Sequence, residues 1–309
     1  MGVYRDDNNK PYILNCVRKA EQSIADRKLD HEYAGIEGIT SYVNNALRLA
    51  YGADSAIIKD GRVAGAQSIS GTGSLRLGFE FLKEFYPNKQ AEVYVPNPTW
   101  PVHRTIPDRV GLKWQQYRYF DQKTKGLDIN GLLEDLDKAK NESIVLFHVC
   151  AHNPTGVDPS QAQWQQILEL VKRKSHFVAF DSAYQGFASG DLARDAYALN
   201  LFSQNYDRIM LFQSFAKNFG LYGQRAGALS VVTGSKTETD VVMSRIKQIA
   251  RPIYSSPPIH GARLVDTILS SPELTAEWHN ELKVMSGRMI SMRNGIVQKL
   301  KERGNPHSW

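Results

Sequence analysis

Lys217 carries the most reactive group in a promising setting. It closes the run Ile209-Met210-Leu211-Phe212-Gln213-Ser214-Phe215-Ala216-Lys217-Asn218-Phe219, which feeds an amine from a β-rich segment into aromatic surroundings. A loop lysine is ordinarily solvated, but one desolvated by aromatic rings becomes a nucleophile suited to Schiff-base chemistry. Asp181 emerges in the same way from Phe177-Val178-Ala179-Phe180, with Tyr184 just beyond. A carboxylate at that depth is costly unless a cation or donor meets it, and a protonated ring nitrogen would. In His148-Val149-Cys150-Ala151-His152-Asn153-Pro154-Thr155-Gly156 the Asn-Pro pair makes a turn and presents the Asn153 amide at a strand end. The two histidines there suggest a metal, yet no carboxylate or thiol cluster at metal spacing completes a ligand set. No metal is expected, and the histidines read as core or supporting residues.

Ser70-Gly71-Thr72-Gly73-Ser74-Leu75-Arg76 joins a β-rich run to an amphipathic one. Its backbone N–H groups and the helix dipole suit a phosphate, although it is neither the Walker pattern nor GxGxxG and is weak alone. It gains weight beside Ser214 and Arg225, whose planar guanidinium fits a phosphate bidentately. Trp100, in Asn97-Pro98-Thr99-Trp100-Pro101-Val102-His103, is either core or a platform for a flat ring. A phosphate cradle, an amine, a buried acid, two donors for a phenolic oxygen and a stacking surface match pyridoxal 5'-phosphate part by part.

The elements that must position these groups alternate. β-Rich runs at 63–70, 92–95, 144–149, 177–180, 209–212 and 226–232 are interleaved with amphipathic runs at 74–85, 161–173, 194–205 and 237–249. This predicts an α/β fold with a mostly parallel sheet, whose ligands collect beyond the carboxyl ends of the strands. Residues 272–303 read as one long helix, interrupted by nothing stronger than Gly287 and Gly295. With 309 residues, 42% hydrophobic, the chain can bury a large core. No apolar stretch approaches the ~20 residues of a spanning helix, so no membrane partner is expected. Neither is a nucleic-acid partner, because the net charge of +6 comes from 38 basic residues scattered among 32 acids; a positive field of that kind draws in small anions. Cys16 and Cys150 lie far apart, which suits a reducing compartment, and the residues after Met1 have the pattern of neither a signal nor a transit peptide.

With these motifs in view, the sequence closely resembles the aspartate aminotransferase family of fold-type I transaminases. The likeness is carried by residues 70–76, 151–156, 181–190, 213–225 and 251–263. It implies a large cofactor-binding domain over 12–284, a mostly parallel mixed sheet flanked by helices. Residues 1–11 and 285–309 would be remnants of a small α/β domain, including the end of a long connecting helix. It implies that Lys217 holds the cofactor and then shuttles a proton, that Asp181 pairs with the ring nitrogen with His103 behind it, and that Tyr184 and Asn153 bond the phenolic oxygen. Trp100 would stack on the ring. Ser70, Gly71, Thr72, Ser214 and Arg225 would hold the phosphate, with Tyr33 from a second subunit. Gly2, Trp100 and Asn153 would contact substrate, and Arg251 from the partner would bind the side-chain carboxylate of aspartate or glutamate in a homodimer with shared sites.

The resemblance is to the mitochondrial form in details such as Arg251-Pro252-Ile253-Tyr254 and Gly223-Gln224-Arg225, so the mitochondrial matrix is expected, with the cytoplasm as the alternative; Ser256 stands where many relatives have Asn. It also implies that relatives begin before Met1 and continue past Trp309, where the arginine that clamps the α-carboxylate belongs. On that expectation the chain binds cofactor better than it transaminates. The rivals are a non-catalytic isoform and a fold-type I enzyme of other amino-acid specificity.

Overall fold

The computed structural model describes residues 2–306; Met1 and residues 307–309, assigned above to the smaller domain's remnants, lie outside the described residues. A seven-stranded sheet, in the order β1-β9-β8-β7-β6-β2-β3, forms its centre. The strands are β1 (Val63–Ile69), β2 (Val93–Asn97), β3 (Trp114–Arg118), β6 (Ile144–His148), β7 (Phe177–Ser182), β8 (Ile209–Ser214) and β9 (Ala226–Val232). A short ladder of β4 (Phe120–Asp121) and β5 (Gly126–Leu127) stands apart. Neighbours are parallel except at β9, which runs against both β1 and β8.

Every residue of β6, β7 and β8 is buried, the signature of strands covered on both faces. The period of two divides them between two cores. Val145, Phe147, Val178, Phe180, Ile209 and Leu211 face one side, and Ile144, Leu146, Phe177, Ala179, Met210 and Phe212 the other. The first face is covered by α1 (Asn15–Asp26), α2 (Thr40–Tyr51), α3 (Ala56–Lys59), α6 (Ile129–Lys138), α7 (Gln161–Lys174), α8 (Leu192–Asp195), α9 (Tyr197–Asn205), α11 (His260–Leu269) and α12 (Pro272–Glu302). The second is covered by α4 (Ser70–Phe85), α5 (Val102–Arg109) and α10 (Lys236–Tyr254).

The expected alternation is present, with differences that have local causes. The run 194–205 is two helices, α8 and α9, broken at Ala196. α4 begins at Ser70 rather than 74, since Ser70 itself turns the chain at φ +58°. β3 shows little alternation, only Tyr117 of its five residues being buried, as befits a sheet edge. α12 is continuous through both glycines. It packs through Trp278, Leu282 and Met285, then leaves the core, with Met292 and Ile296 exposed. Its buried Glu281 accepts from the Asn15 and Cys16 N–H groups at 2.7 and 3.1 Å, capping α1, whose own N-cap Leu14 offers no side-chain acceptor. Among the described residues no helix is long and apolar enough to cross a membrane.

Candidate active site

The carboxyl ends of β1, β2, β6, β7 and β8 point to the same end of the sheet, and β9, being antiparallel, enters from that end. A cavity of about 590 Å³ opens there, lined by Gly2, Ser70, Gly71, Thr72, Trp100, Asn153, Asp181, Tyr184, Ser214, Lys217 and Arg225 among others. Residues scattered over the chain thus meet because parallel strands deliver their following loops to one edge.

Lys217 lies just past β8 on a loop gripped from below. Phe215 and Phe219 are buried, Trp278 stacks on Phe219 at 4.2 Å between ring centroids, and its Nε1 donates to the Asn218 carbonyl at 2.8 Å. The Lys217 amine makes no hydrogen bond or ion pair among the described residues and stands 5.7 Å from the centroid of the Tyr184 ring. Burial pushes its pKa below the ordinary lysine value; the Asp181 charge opposes this and the Arg225 charge adds to it. A half-buried amine tuned toward its neutral form is a nucleophile.

Asp181, on β7, is 7% exposed, and its Oδ2 lies 2.8 Å from His103 Nε2. His103, fully buried on α5, is fixed in turn by Thr99 Oγ1 at 2.8 Å from its Nδ1. His103, His148 and Asp181 bring three ligand-type atoms within 4.8 Å of one another. Both His103 nitrogens are already committed to Thr99 and Asp181, which leaves His148 without two companions for an ion. Burial, reinforced by His103, holds the His148 pKa well below the ordinary value, so this wall of the cavity is a neutral imidazole. The second oxygen of Asp181 remains available to a cation entering the cavity.

The start of α4, on the same cavity, suits an anion. α4 starts at Ser70 with no side-chain cap, so its first N–H groups need an acceptor. Ser70 Oγ and Ser214 Oγ are 3.1 Å apart, and a Cβ on Gly71 would meet the Ser214 Cβ at 3.1 Å; Gly71 keeps the cradle open. Arg225, at φ +53°, gives Nη1 to the Tyr222 carbonyl at 3.0 Å and keeps its other donors. Uncapped helix, two hydroxyls and guanidinium fit a phosphate, while Lys217, Asp181 and the Trp100 indole, which line the same cavity, fit an aldehyde, a pyridinium and a ring face. Pyridoxal 5'-phosphate therefore fits the residues present.

Three expected site residues, Tyr33, Arg251 and His103, do not line this cavity. Tyr33 is 92% exposed and Arg251, in the last turn of α10, is exposed as well. His103 is instead buried behind Asp181, 2.8 Å from its Oδ2. Val3, His148, Ala183, Ala216 and Tyr222 line the cavity but were not assigned to it from sequence. Tyr222 lies within the 213–225 motif and could have been found there. Its hydroxyl accepts the Tyr4 N–H at 2.9 Å, tying the N-terminal segment over the site.

The model of the family "Aminotransferase class I and II" matches residues 1–308. The chain belongs to this aminotransferase family. This aminotransferase is 49% identical to the mitochondrial aspartate aminotransferase of Gallus gallus, over all of the chain and 73% of the relative. Its fold matches the mitochondrial aspartate aminotransferase of Trypanosoma brucei with a TM-score of 0.95 at 42% identity, covering 100% of this chain and 80% of that one. It also matches the aromatic-amino-acid aminotransferase of Burkholderia pseudomallei covalently bound to pyridoxal phosphate, with a TM-score of 0.96 at 41% identity, covering 100% and 76%. The sheet flanked by helices is that of fold-type I aminotransferases, and the family depends on pyridoxal phosphate.

Proposed function

We propose that this aminotransferase exchanges the amino group between L-aspartate and 2-oxoglutarate, giving oxaloacetate and L-glutamate in a ping-pong cycle. The observation that carries the reading is the half-buried Lys217 amine, without a hydrogen bond or ion pair among the described residues, sharing one cavity with the Asp181 carboxylate and the N-terminus of α4, which has no side-chain cap.

Pyridoxal phosphate, when bound, supplies an aldehyde carbon that takes the amino group and a ring that accepts an electron pair. Lys217 would hold the cofactor and, once freed by substrate, would move a proton between the substrate α-carbon and the cofactor C4′. Asp181, oriented by His103, would hold a negative charge against the ring nitrogen. Tyr184 and Asn153 would hydrogen-bond the phenolic oxygen, and Trp100 would pack on the ring. Ser70, Gly71, Thr72, Ser214 and Arg225 would hold the phosphate, with Tyr33 of a second copy completing it. Gly2 closes the substrate side. A dicarboxylate calls for bidentate cationic clamps, and Arg251 of a second copy takes the side-chain carboxylate; its exposure in one copy supports a site shared across a homodimer. Residues 12–284 form the large domain in this reading, and 1–11 with 285–309 belong to the smaller one. The names of the Gallus and Trypanosoma relatives and the net charge of +6 support the mitochondrial matrix over the cytoplasm.

Half-reaction assays test the reading: aspartate and glutamate should each bleach the cofactor absorbance of the loaded protein, and no change with either would overturn it. The likeness to an aromatic-amino-acid aminotransferase favours a second specificity, which the same assay reads with phenylalanine or tyrosine.

A further inference from the structure

Asp195 is a carboxylate without an evident task. It ends α8, is 5% exposed, and makes no ion pair among the described residues. Burial raises its pKa, and its hydrogen bonds to Ser189, Gly186 and Ala188 oppose that. An isolated buried carboxylate is costly, so its donors must be numerous, and all of them come from one turn. Oδ2 accepts from the N–H groups of Gly186 at 2.8 Å, Ala188 at 3.2 Å and Ser189 at 3.3 Å, and Oδ1 from Ser189 Oγ at 2.5 Å.

That turn begins at Tyr184, whose carbonyl accepts from Phe187 and Ala188 at 2.8 and 3.1 Å. Its middle is tied to the lysine loop, because Asn218 Nδ2 donates to the Gln185 carbonyl at 3.2 Å. The turn has no slack, since a Cβ on Gly186 would lie 2.4 Å from Leu192 Cδ2. A companion acts on the facing turn: Asp158 accepts from the Ala151 and His152 N–H groups at 2.6 and 2.9 Å, just before Asn153.

We propose that Asp195 is a positioning residue, holding the Tyr184–Ser189 turn from behind so that the Tyr184 hydroxyl and, through Gln185 and Asn218, the Lys217 loop keep their places against the cofactor. The idea rests on the function proposed above. A carboxylate suits this task because one oxygen accepts the three N–H groups and the other the Ser189 hydroxyl, with charge-assisted strength, where an amide loses the charge and turns its NH2 onto either the hydroxyl or the N–H groups.

The test uses Asp195→Asn and Ser189→Ala in the cofactor-loaded protein. Loss of the anchor should lower kcat for aspartate about tenfold, with KM within about twofold. It should also raise the protonation midpoint of the lysine-bound cofactor's absorbance by about half a pH unit, because a weaker donor at the phenolic oxygen leaves more negative charge beside the shared proton. In the cofactor-free protein the amides of residues 186, 188 and 189 should exchange about tenfold faster. Wild-type midpoint and kcat in both variants, with only a lower Tm, would make Asp195 a purely structural residue and overturn the proposal. If Asp195→Asn does not fold, Ser189→Ala, which keeps the carboxylate and removes its 2.5 Å hydroxyl donor together with that hydroxyl's longer contacts to Asp191, decides by the same readings. A wild type with no cofactor absorbance would instead sink the functional reading, while exchange at the turn would still show whether Asp195 anchors the Tyr184–Ser189 turn.

Discussion

His103 Nε2 stands 2.8 Å from Asp181 Oδ2, while the other ring nitrogen is held by Thr99. The imidazole therefore fixes one carboxylate oxygen and leaves the other facing the cavity. Removing the carboxylate should be far worse than removing its support. Asp181→Ala is expected to lower kcat/KM for aspartate by about 10³-fold or more, and His103→Ala by about tenfold, both at saturating cofactor. Equal losses in the two variants would contradict this division of labour.

Burial of Lys217 has a consequence for stability that can be measured without turnover. Its folded-state pKa lies below the ordinary value of 10.5. Between the two values the unfolded chain holds more protons than the folded one, so stability rises with pH across that window. Below the folded pKa the charged amine is a constant burden. Lys217→Met should accordingly raise the Tm of the cofactor-free protein at pH 7, and the advantage should shrink as pH approaches 10. A gain independent of pH would show that the amine is not the cause.

The phosphate cradle makes a prediction about geometry rather than charge. Arg225→Lys keeps the positive charge and loses the planar fork. Charge-assisted hydrogen bonds contribute about 1.5–3 kcal/mol each, so the Kd for pyridoxal phosphate should rise about 10–100-fold, as read by equilibrium titration. An unchanged Kd would place the phosphate elsewhere.

Trp278 joins stability to the site. It is fully buried, stacked on Phe219, and donates to the carbonyl of Asn218, the residue after Lys217. Trp278→Ala should cost about 3–5 kcal/mol in denaturant unfolding and also weaken cofactor retention. Stability loss with wild-type cofactor affinity would separate the α12 packing from the lysine loop.

Arg251 tests substrate choice and assembly together. Arg251→Leu should reduce the preference for aspartate over phenylalanine by at least about tenfold while leaving cofactor affinity unchanged. Mixed dimers of Arg251→Leu with Lys217→Ala should recover one working site, provided the site is shared; no recovery would place the arginine's action within one chain.

Much of this was legible along the chain. The parallel core strands read as apolar runs because both of their faces are covered, and Lys217, Asp181, Asn153 and the 70–76 turn each follow such a run, where an α/β sheet presents its chemistry. Six helices, α1, α2, α3, α5, α6 and α11, lie outside the amphipathic runs that the sequence shows. α5, for instance, carries Pro107 and a charged exposed face that blur its periodicity.

What the sequence determined by itself was the set of groups and the end of the sheet at which they gather, since strand direction and loop position follow from local pattern. Only the tertiary structure decided which groups touch. It aimed His103 at Asp181 across 78 positions of chain and drew Tyr222 up to Tyr4 across 218. It also set Asp195 behind the Tyr184 turn and left Tyr33 and Arg251 outside the cavity. Contacts of that kind depend on how helices seat on the sheet, a property of the whole core that no stretch of residues carries alone. The Lys217 amine is the clearest case: its position after β8 is written in the sequence, whereas its lack of a hydrogen bond or ion pair among the described residues and its lowered proton affinity arise from the burial that only the assembled cavity provides.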